Sequence, residues 1–314
     1  MILQKKLTFF FAVLLGLMGI NLASGVVKAD DIDDLPVVTL GDSLTKSQRE
    51  ETIKTLIQPI NDSNYQAITV TGNDLVKYLN PSGDNFAVNS GVWSSALIQK
   101  TVKSSGINVK IVPYNGQLNI TTITADQYKN AAVTAGISDA NIYVTSAIPI
   151  DGSGALAGVY AAYAKQNKGL NQKQINAAQD EMGTLSSITK KNKDKTGYSD
   201  DKLNKAVAGA KSQMAQQGQN ISNSKIRDIV NNQININHLG NTINNNQKEQ
   251  IIKLLEEVRD SGALKNGNFQ KQASRLTSDL SKVAKKLNTS QNRNFLQKLI
   301  DSLVSFVRGL LSHN

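Results

Sequence analysis

Few side chains in this chain of 314 residues are suited to chemistry on a substrate. It has no cysteine and only two histidines, His238 and His313. His238 lies in an Asn-rich turn and His313 is the next-to-last residue, so neither context favours the histidine of a Ser-His-Asp triad. No HxxxH or CxxC spacing exists, and the sequence predicts neither a metal site nor a cofactor.

Carboxylates are the remaining catalytic groups. A glycoside hydrolase needs only two of them, flanking the scissile bond. The chain has 25 Asp and Glu residues, so such a pair can be neither excluded nor located from sequence. A carboxylate-dependent hydrolase of cell-wall glycan or peptide therefore stays open, with no catalytic residue assigned.

The glycine-rich turn Asp151-Gly152-Ser153-Gly154 precedes an expected helix. The free N–H groups at a helix N-terminus bind phosphate or carboxylate, which makes Gly152, Ser153 and Gly154 a candidate anion site. The turn lacks the lysine of a P-loop and the full GxGxxG pattern. A structural interpretation, with Ser153 as helix cap and the glycines allowing a tight turn, explains the same residues without a ligand.

The elements around this turn are a helix, a strand and a second helix. Thr124 and Gln127 form a capping box, and Gly136 suits the left-handed residue after a helix end. Alternation from Ile142 to Ile148 predicts a strand that Pro149 closes. Small residues in the second helix predict close packing on a sheet.

The preceding residues predict strands, short helices and a β-meander. Strands are expected over 37–40 and 65–71, with helices over 45–58 and 74–79. Residues 92–122 predict the meander, with a hairpin turn at Asn115-Gly116 and Leu118 and Ile120 on its last strand. Residues 92–103 also suit a helix, and that alternative stays open. Pro113 donates no ladder bond, so its strand end should lie at a sheet edge or a bulge.

Helical patterns dominate the rest of the chain, at 200–217, 222–232, 245–260, 268–287 and 290–311. The predicted fold is α+β: a small mixed or antiparallel sheet with packed helices, followed by a helical C-terminal region. The predicted segments are a signal peptide (1–29), an α+β domain (30–165), a helix with a polar linker (166–198) and a basic helical region (199–314).

A helix-start motif occurs five times: Ile or Leu, then Thr or Asn, then Gln three residues later. It begins at Leu44, Ile123, Leu170, Ile243 and Leu287. Residues 40–56 and 239–255 share seven of 17 positions. An internal duplication is one explanation; repeated use of one capping solution, which the differing surroundings favour, is the other.

The first 29 residues have the pattern of a signal peptide. Lys5 and Lys6 precede an apolar run from Leu7 to Leu22, and Val27-Lys28-Ala29 suits cleavage before Asp30. A retained membrane anchor is the alternative. We expect a secreted protein, extracellular or loosely associated with the cell surface.

Charge divides the chain into two halves. Residues 30–164 carry 8 Lys and Arg against 13 Asp and Glu, whereas residues 165–314 carry 24 against 12, a net of +12. The basic half predicts a salt-sensitive anionic partner, a wall polymer or a membrane surface. A solvated surface of lysine-rich helices is the alternative, and no specific nucleic acid is expected.

The last expected helix has a broad apolar face that includes Phe295, Leu299, Leu303, Phe306 and Leu310. Such a face docks on a membrane or on a partner such as another envelope protein. Packing on the preceding helices produces the same pattern.

Three stretches together resemble one family. They are VVTLGDSLTKSQRE, the block from TADQYKN to LAGVYAAY, and ININHLGNTINNNQKEQ. They are similar to the secreted Gram-positive proteins catalogued as domain of unknown function 1002. The resemblance covers nearly all of the chain after residue 29. It implies export and a shared fold, and it supplies no activity and no catalytic residue.

The function expected from these observations is a non-catalytic binding or structural protein, secreted or associated with the cell envelope. The hydrolase is the alternative.

Overall fold

The computed structural model describes residues 35–60, 64–82, 84–166 and 170–275. The expected signal peptide lies outside these ranges. So do the expected helix 290–311, with its apolar face, and the cap motif at Leu287.

Within the described ranges, five strands form one mixed sheet. They are β1 (Val37–Gly41), β2 (Gln66–Val70), β3 (Ser94–Lys100), β4 (Ile107–Ile111) and β5 (Ala140–Ser146). Their order in the sheet is β2-β1-β3-β5-β4. The pairs β1–β2 and β4–β5 are parallel, whereas β3 is antiparallel to both β1 and β5. The expected α+β class with a mixed sheet is confirmed.

Eight α-helices lie between residues 35 and 260 of the described chain. They are α1 (Lys46–Ile57), α2 (Gly72–Tyr78), α3 (Ala125–Thr134), α4 (Ser153–Gln166), α5 (Gln172–Asn192), α6 (Asp200–Gln217), α7 (Asn223–Ile236) and α8 (Asn245–Asp260). Residues 267–275 are also helical. The expected helical C-terminal region is therefore present.

Helices cover both faces of the sheet. On one face, Leu56 of α1 packs with Val38, Leu40 and Leu97. On the other, α4 contacts β1, β2, β3 and β5. A Cβ atom at Gly158 of α4 would lie 2.4 Å from the Thr39 hydroxyl, so a small residue is required at this close approach.

The remaining helices extend the same core. Helix α3 packs against α5 and α6, α6 against α7, and α8 against both α5 and α7. One cluster of buried side chains includes Ile98 and Val144 of the sheet together with Leu185, Leu203 and Leu255 of the helices. A single hydrophobic core thus joins the sheet to the helical region.

The expected β-meander over residues 92–122 is wrong. Residues 94–100 are a strand, which answers the strand-or-helix question, but β5 lies between β3 and β4 and separates them. The turn at Asn115-Gly116 is present, with φ of +47° and +81°, yet it closes only a single bridge between Tyr114 and Gln117. Leu118 is 65% exposed, and Ile120 forms a parallel bridge with Ile150 instead.

The physical reason is the burial that β5 offers. All but one of its residues are buried, so strands that pair with it remove more apolar surface from water than a local hairpin would. The expectation for Pro113 is confirmed, because it follows β4, which is an edge strand.

The cap motifs are confirmed wherever they can be observed. Thr45, Thr124 and Asn244 each form a reciprocal capping box with the glutamine three residues later. Asn171 accepts bonds from two N–H groups of the first turn of α5. Residues 40–56 begin at the end of a strand, whereas residues 239–255 follow helix α7. The different settings favour repeated use of one capping solution.

Candidate functional site

The glycine-rich turn between β5 and α4 is closely packed. Gly152 has φ of +109°, and a Cβ atom there would lie 2.3 Å from the Tyr128 hydroxyl oxygen, which donates to the Gly152 carbonyl at 2.7 Å. A Cβ atom at Gly154 would lie 2.6 Å from Cγ1 of Val92. Both glycines are therefore required by neighbouring side chains.

Protein groups already bind the N–H groups at the start of α4. Asp151 accepts from the Ser153 N–H at 2.9 Å, and Ser94 Oγ accepts from the Ala155 N–H at 2.8 Å. The expected cap at Ser153 is wrong: its hydroxyl donates to Asp151, and the Gly152 carbonyl accepts the first helical bond, from Leu156. A carboxylate so close to these N–H groups favours the structural interpretation, and the anion site stays a prediction.

A groove of about 910 Å³ opens at the other end of the sheet, where β3 ends and β5 begins. Its lining comes from the β3–β4 loop, the start of β5, the last turns of α4 and the helical residues 267–275. The lining side chains are Gln99, Lys100, Thr101, Val102, Lys103, Ser105, Ser138, Asp139, Tyr163 and Asn268. The groove is polar and open, and it is assembled from four separate parts of the chain.

Hydrogen bonds hold the β3–β4 loop in place. The Asp139 carbonyl accepts from the Thr101 N–H at 2.8 Å, and its carboxylate accepts from the Gly106 N–H at 3.0 Å. Ser104 and Asp139 have left-handed backbones, with φ of +68° and +50°. Side chains other than glycine adopt this conformation at a cost, and such residues cluster at functional sites.

Asp139 is the single carboxylate among the lining residues that the structure describes. Partial burial alone would raise its pKa. The N–H groups of Gly106 and Ser104, the Gln272 amide and the nearby Arg275 favour the charged form more strongly and lower the pKa. This carboxylate is therefore a charged brace for the loop, not a proton donor at neutral pH.

Two acids outside the groove are raised in pKa. Burial raises the pKa of Asp180 to about 6, with repulsion from Glu257 and Asp84 adding to the effect. Burial also raises the pKa of Asp84, against a hydrogen bond of 2.7 Å from the Gln179 amide. The described residues contain no cluster of three potential ligands that could hold a metal ion.

The helical region contains an ion pair that sequence reasoning missed. Lys211 of α6 and Glu181 of α5 are both fully buried, with 2.8 Å between Nζ and Oε1. Lys211 also donates to the Asn130 carbonyl and to Thr134 Oγ1, and Thr134 donates to Glu181 Oε2 at 2.6 Å. The available signal was a lysine among the small and apolar residues of α6, at Ala206, Val207, Ala208, Ala210 and Met214.

His238 is an exposed residue at the end of α7. It has φ of +56°, and the next N–H, from Leu239, bonds to the Ile234 carbonyl at 2.9 Å. This is the geometry of a helix C-terminus, in which the residue after the helix turns the chain. Its position fits the structural role expected for it.

Comparison with known proteins places these features in a family. The model of the family described as "Protein of unknown function (DUF1002)" matches residues 40–276. The chain belongs to the DUF1002 family. It is 27% identical over 277 residues to the uncharacterized protein YpuA of Bacillus subtilis (strain 168), covering 88% of each chain. No solved structure matches the chain significantly.

The DUF1002 match includes the groove, the turn and the buried ion pair, and the family description indicates no activity. The sequence resemblance is therefore confirmed as to family. Among the described residues, no helix is long and apolar enough to cross a membrane.

Proposed function

We propose that this chain is an exported, non-catalytic binding protein of the cell envelope, and that its groove binds an anionic wall polymer. The observation that carries the proposal is the charge of the groove. Lys100 and Lys103 lie in its lining, and the single carboxylate among the described lining residues is held by hydrogen bonds. Two cations beside hydroxyl and amide groups suit an anionic ligand.

Export is supported by the first 29 residues. Their basic, apolar and small-residue regions follow each other in the order that signal peptidase requires. N-terminal sequencing of the protein from the wall fraction or the culture medium should give Asp30 as the first residue. An intact Met1 in either fraction would contradict export by this route.

The groove and the basic half of the chain predict different binding surfaces. The groove lysines belong to the acidic half of the sequence, whereas Lys190 and Lys191 lie in the last turn of α5, in the basic half. All four side chains are exposed. The net charge of a segment therefore does not locate the concave surface, and the two lysine pairs make matched variants.

The experiment measures binding of the protein to purified cell wall that retains its anionic polymer. Lys100→Gln/Lys103→Gln should weaken binding, whereas Lys190→Gln/Lys191→Gln, which removes the same charge, should not. Raising the salt concentration from 0.05 to 0.5 M should weaken wild-type binding, because the Debye length falls from about 14 to about 4 Å. Wall from which the polymer has been extracted should not bind.

The opposite pattern would move the site to the basic half. Loss of binding only in the Lys190/Lys191 variant would overturn the assignment of the groove. Equal binding by the wild type and both variants would overturn the proposal as a whole.

A hydrolase is the second candidate, favoured by Asp180 and Asp84. Two acids whose environments shift their pKa values differently are the usual arrangement for a general acid and its partner. Release of soluble fragments from purified wall, lost in Asp180→Asn and retained in the control Asp228→Asn on α7, would support this candidate. No release by the wild type is the result expected for a binding protein.

A further inference from the structure

We infer that the ligand of the groove is an anionic saccharide, a short chain of sugar rings that carry carboxylate or phosphate groups. This inference rests on the proposed function and adds the chemical class of the ligand. It is argued from the apolar surfaces of the groove, from its hydrogen-bonding groups and from the arrangement of its charges.

The first argument is the aromatic ring in the lining. Tyr163 belongs to α4, is partly buried and packs against the core of the sheet. A ring fixed in this way offers a flat apolar face with a polar tip. The C–H face of a sugar ring packs well on such a surface, whereas a linear phosphate chain has no apolar face to place there.

A second apolar surface lies at the rim. Val102 is 79% exposed, which is unusual for a valine in a polar loop, and it lines the same groove as Tyr163. The hydrogen bonds around Asp139 hold the loop that carries it. The groove therefore offers apolar contact from more than one side.

The third argument is the set of polar side chains. Gln99 and Asn268 offer amide groups that both donate and accept, and Thr101, Ser105 and Ser138 offer hydroxyl groups. Sugar hydroxyls also donate and accept at one atom, so they can pair with all of these groups. A polyphosphate accepts only, and it would leave the acceptor atoms of both amides without a partner from the ligand.

The charges complete the match. Lys100 and Lys103 are three residues apart at the end of β3 and in the following loop, on the same side of the groove as Thr101. A ligand with anionic groups on some of its rings would place them beside the lysines and its ring faces against Tyr163. A neutral saccharide would leave both lysine charges unused.

The test is isothermal titration of the full-length protein with three probes: tetragalacturonate, neutral chitotetraose and tetrapolyphosphate. Tetragalacturonate should bind most tightly. Tyr163→Leu should weaken this binding by about tenfold, since loss of an aromatic contact with a ring costs about 1 to 1.5 kcal/mol. Tyr163→Phe keeps the ring and is the matched control, expected within about threefold of wild type. Melting temperatures of both variants show whether they fold.

The outcomes separate the inference from the proposed function. Tetrapolyphosphate binding as tightly as tetragalacturonate, with no effect of Tyr163→Leu, would overturn the saccharide and leave an anion-binding groove. Chitotetraose binding as tightly as tetragalacturonate would overturn the requirement for charge. No binding of any probe, together with unchanged wall binding in the Lys100/Lys103 variant, would overturn both the inference and the proposed function.

Discussion

At the scale of single residues, Lys211 and Glu181 connect three helices. Lys211 donates to Asn130 and Thr134 of α3 and to Glu181 of α5. Burial lowers the pKa of Lys211, and the charge and hydrogen bond of Glu181 oppose that effect. A buried charge with three partners is tolerated, whereas removal of one partner leaves the other charge without compensation.

Lys211→Met should therefore destabilise the protein by roughly 3–5 kcal/mol in urea unfolding, because Glu181 would be left buried and unpaired. The double variant Lys211→Met/Glu181→Met removes both charges and should be more stable than Lys211→Met alone. Equal stability of the single and double variants would show that the two charges are not coupled.

Asp180 should make stability fall as the pH rises. Its folded pKa of about 6 lies above the usual 3.8, so the folded chain holds a proton that the unfolded chain releases between these two values. Asp180→Asn should raise the melting temperature at pH 7.5 and leave it nearly unchanged at pH 3.5. Half of the side chain faces solvent, which reduces the size of the effect.

Asp139→Asn is the matched control of opposite sign. Because hydrogen bonds and Arg275 lower the Asp139 pKa, its charged form stabilises the fold above the unfolded value of 3.8, and this is lost as pH falls. Asparagine tolerates the left-handed backbone at this position. Asp139→Asn should lower the melting temperature at pH 7.5, and the difference should shrink below pH 4. A parallel response in both variants would contradict the two assignments.

At the scale of elements, two helical glycines should respond in opposite ways to alanine. Gly183 is exposed in the interior of α5, and a Cβ atom there meets nothing within 4 Å. Gly183→Ala should stabilise the fold by about 0.5–1 kcal/mol, because alanine loses less backbone entropy in a helix. Gly154→Ala should destabilise it by about 1–3 kcal/mol, since its Cβ atom would overlap Val92 and Ser94. Urea unfolding of both variants measures these changes, and a gain in stability at Gly154 would contradict the close packing of the turn.

The capping boxes were predictable because they involve residues three apart, and the same local chemistry applies wherever they occur. The strand order was not predictable from local pattern. The Asn115-Gly116 turn is correct as a turn, but the strands on either side of it pair with β5 and with Ile150, up to 35 residues away. The turn at Ser153 failed for a similar reason, since its cap comes from Asp151 and from Ser94 on another strand.

The groove could not be found from sequence because it depends on the same distant pairings. The Ser104-Ser105-Gly106 segment was recognised only as a break between two β-like runs. It becomes a groove wall when β5 brings Asp139 beside Gly106 and α4 brings Tyr163 to the same end of the sheet. The lysines at 100 and 103 are unremarkable until that arrangement exists.

At the scale of the whole molecule, the question is whether residues 30–165 fold without the helices that follow. Ala131 and Ala132 of α3 are buried, and Asn130 and Thr134 of the same helix hold Lys211 of α6. The shared core includes side chains of the sheet, of α3 and of α5 to α8. A fragment of residues 30–165 would expose the face of α3 that α5 and α6 cover.

We therefore expect full-length protein to unfold in one cooperative thermal transition, followed by circular dichroism and by Trp93 fluorescence. The fragment 30–165 should show no cooperative transition and should bind a hydrophobic dye, because its apolar surface is incompletely buried. Hydrogen exchange on the full chain should give α3, α5 and α6 similar protection, since one opening exposes all three. A cooperative transition of the fragment near the melting temperature of the full chain would contradict this, and it would make the division near residue 165 a true domain boundary.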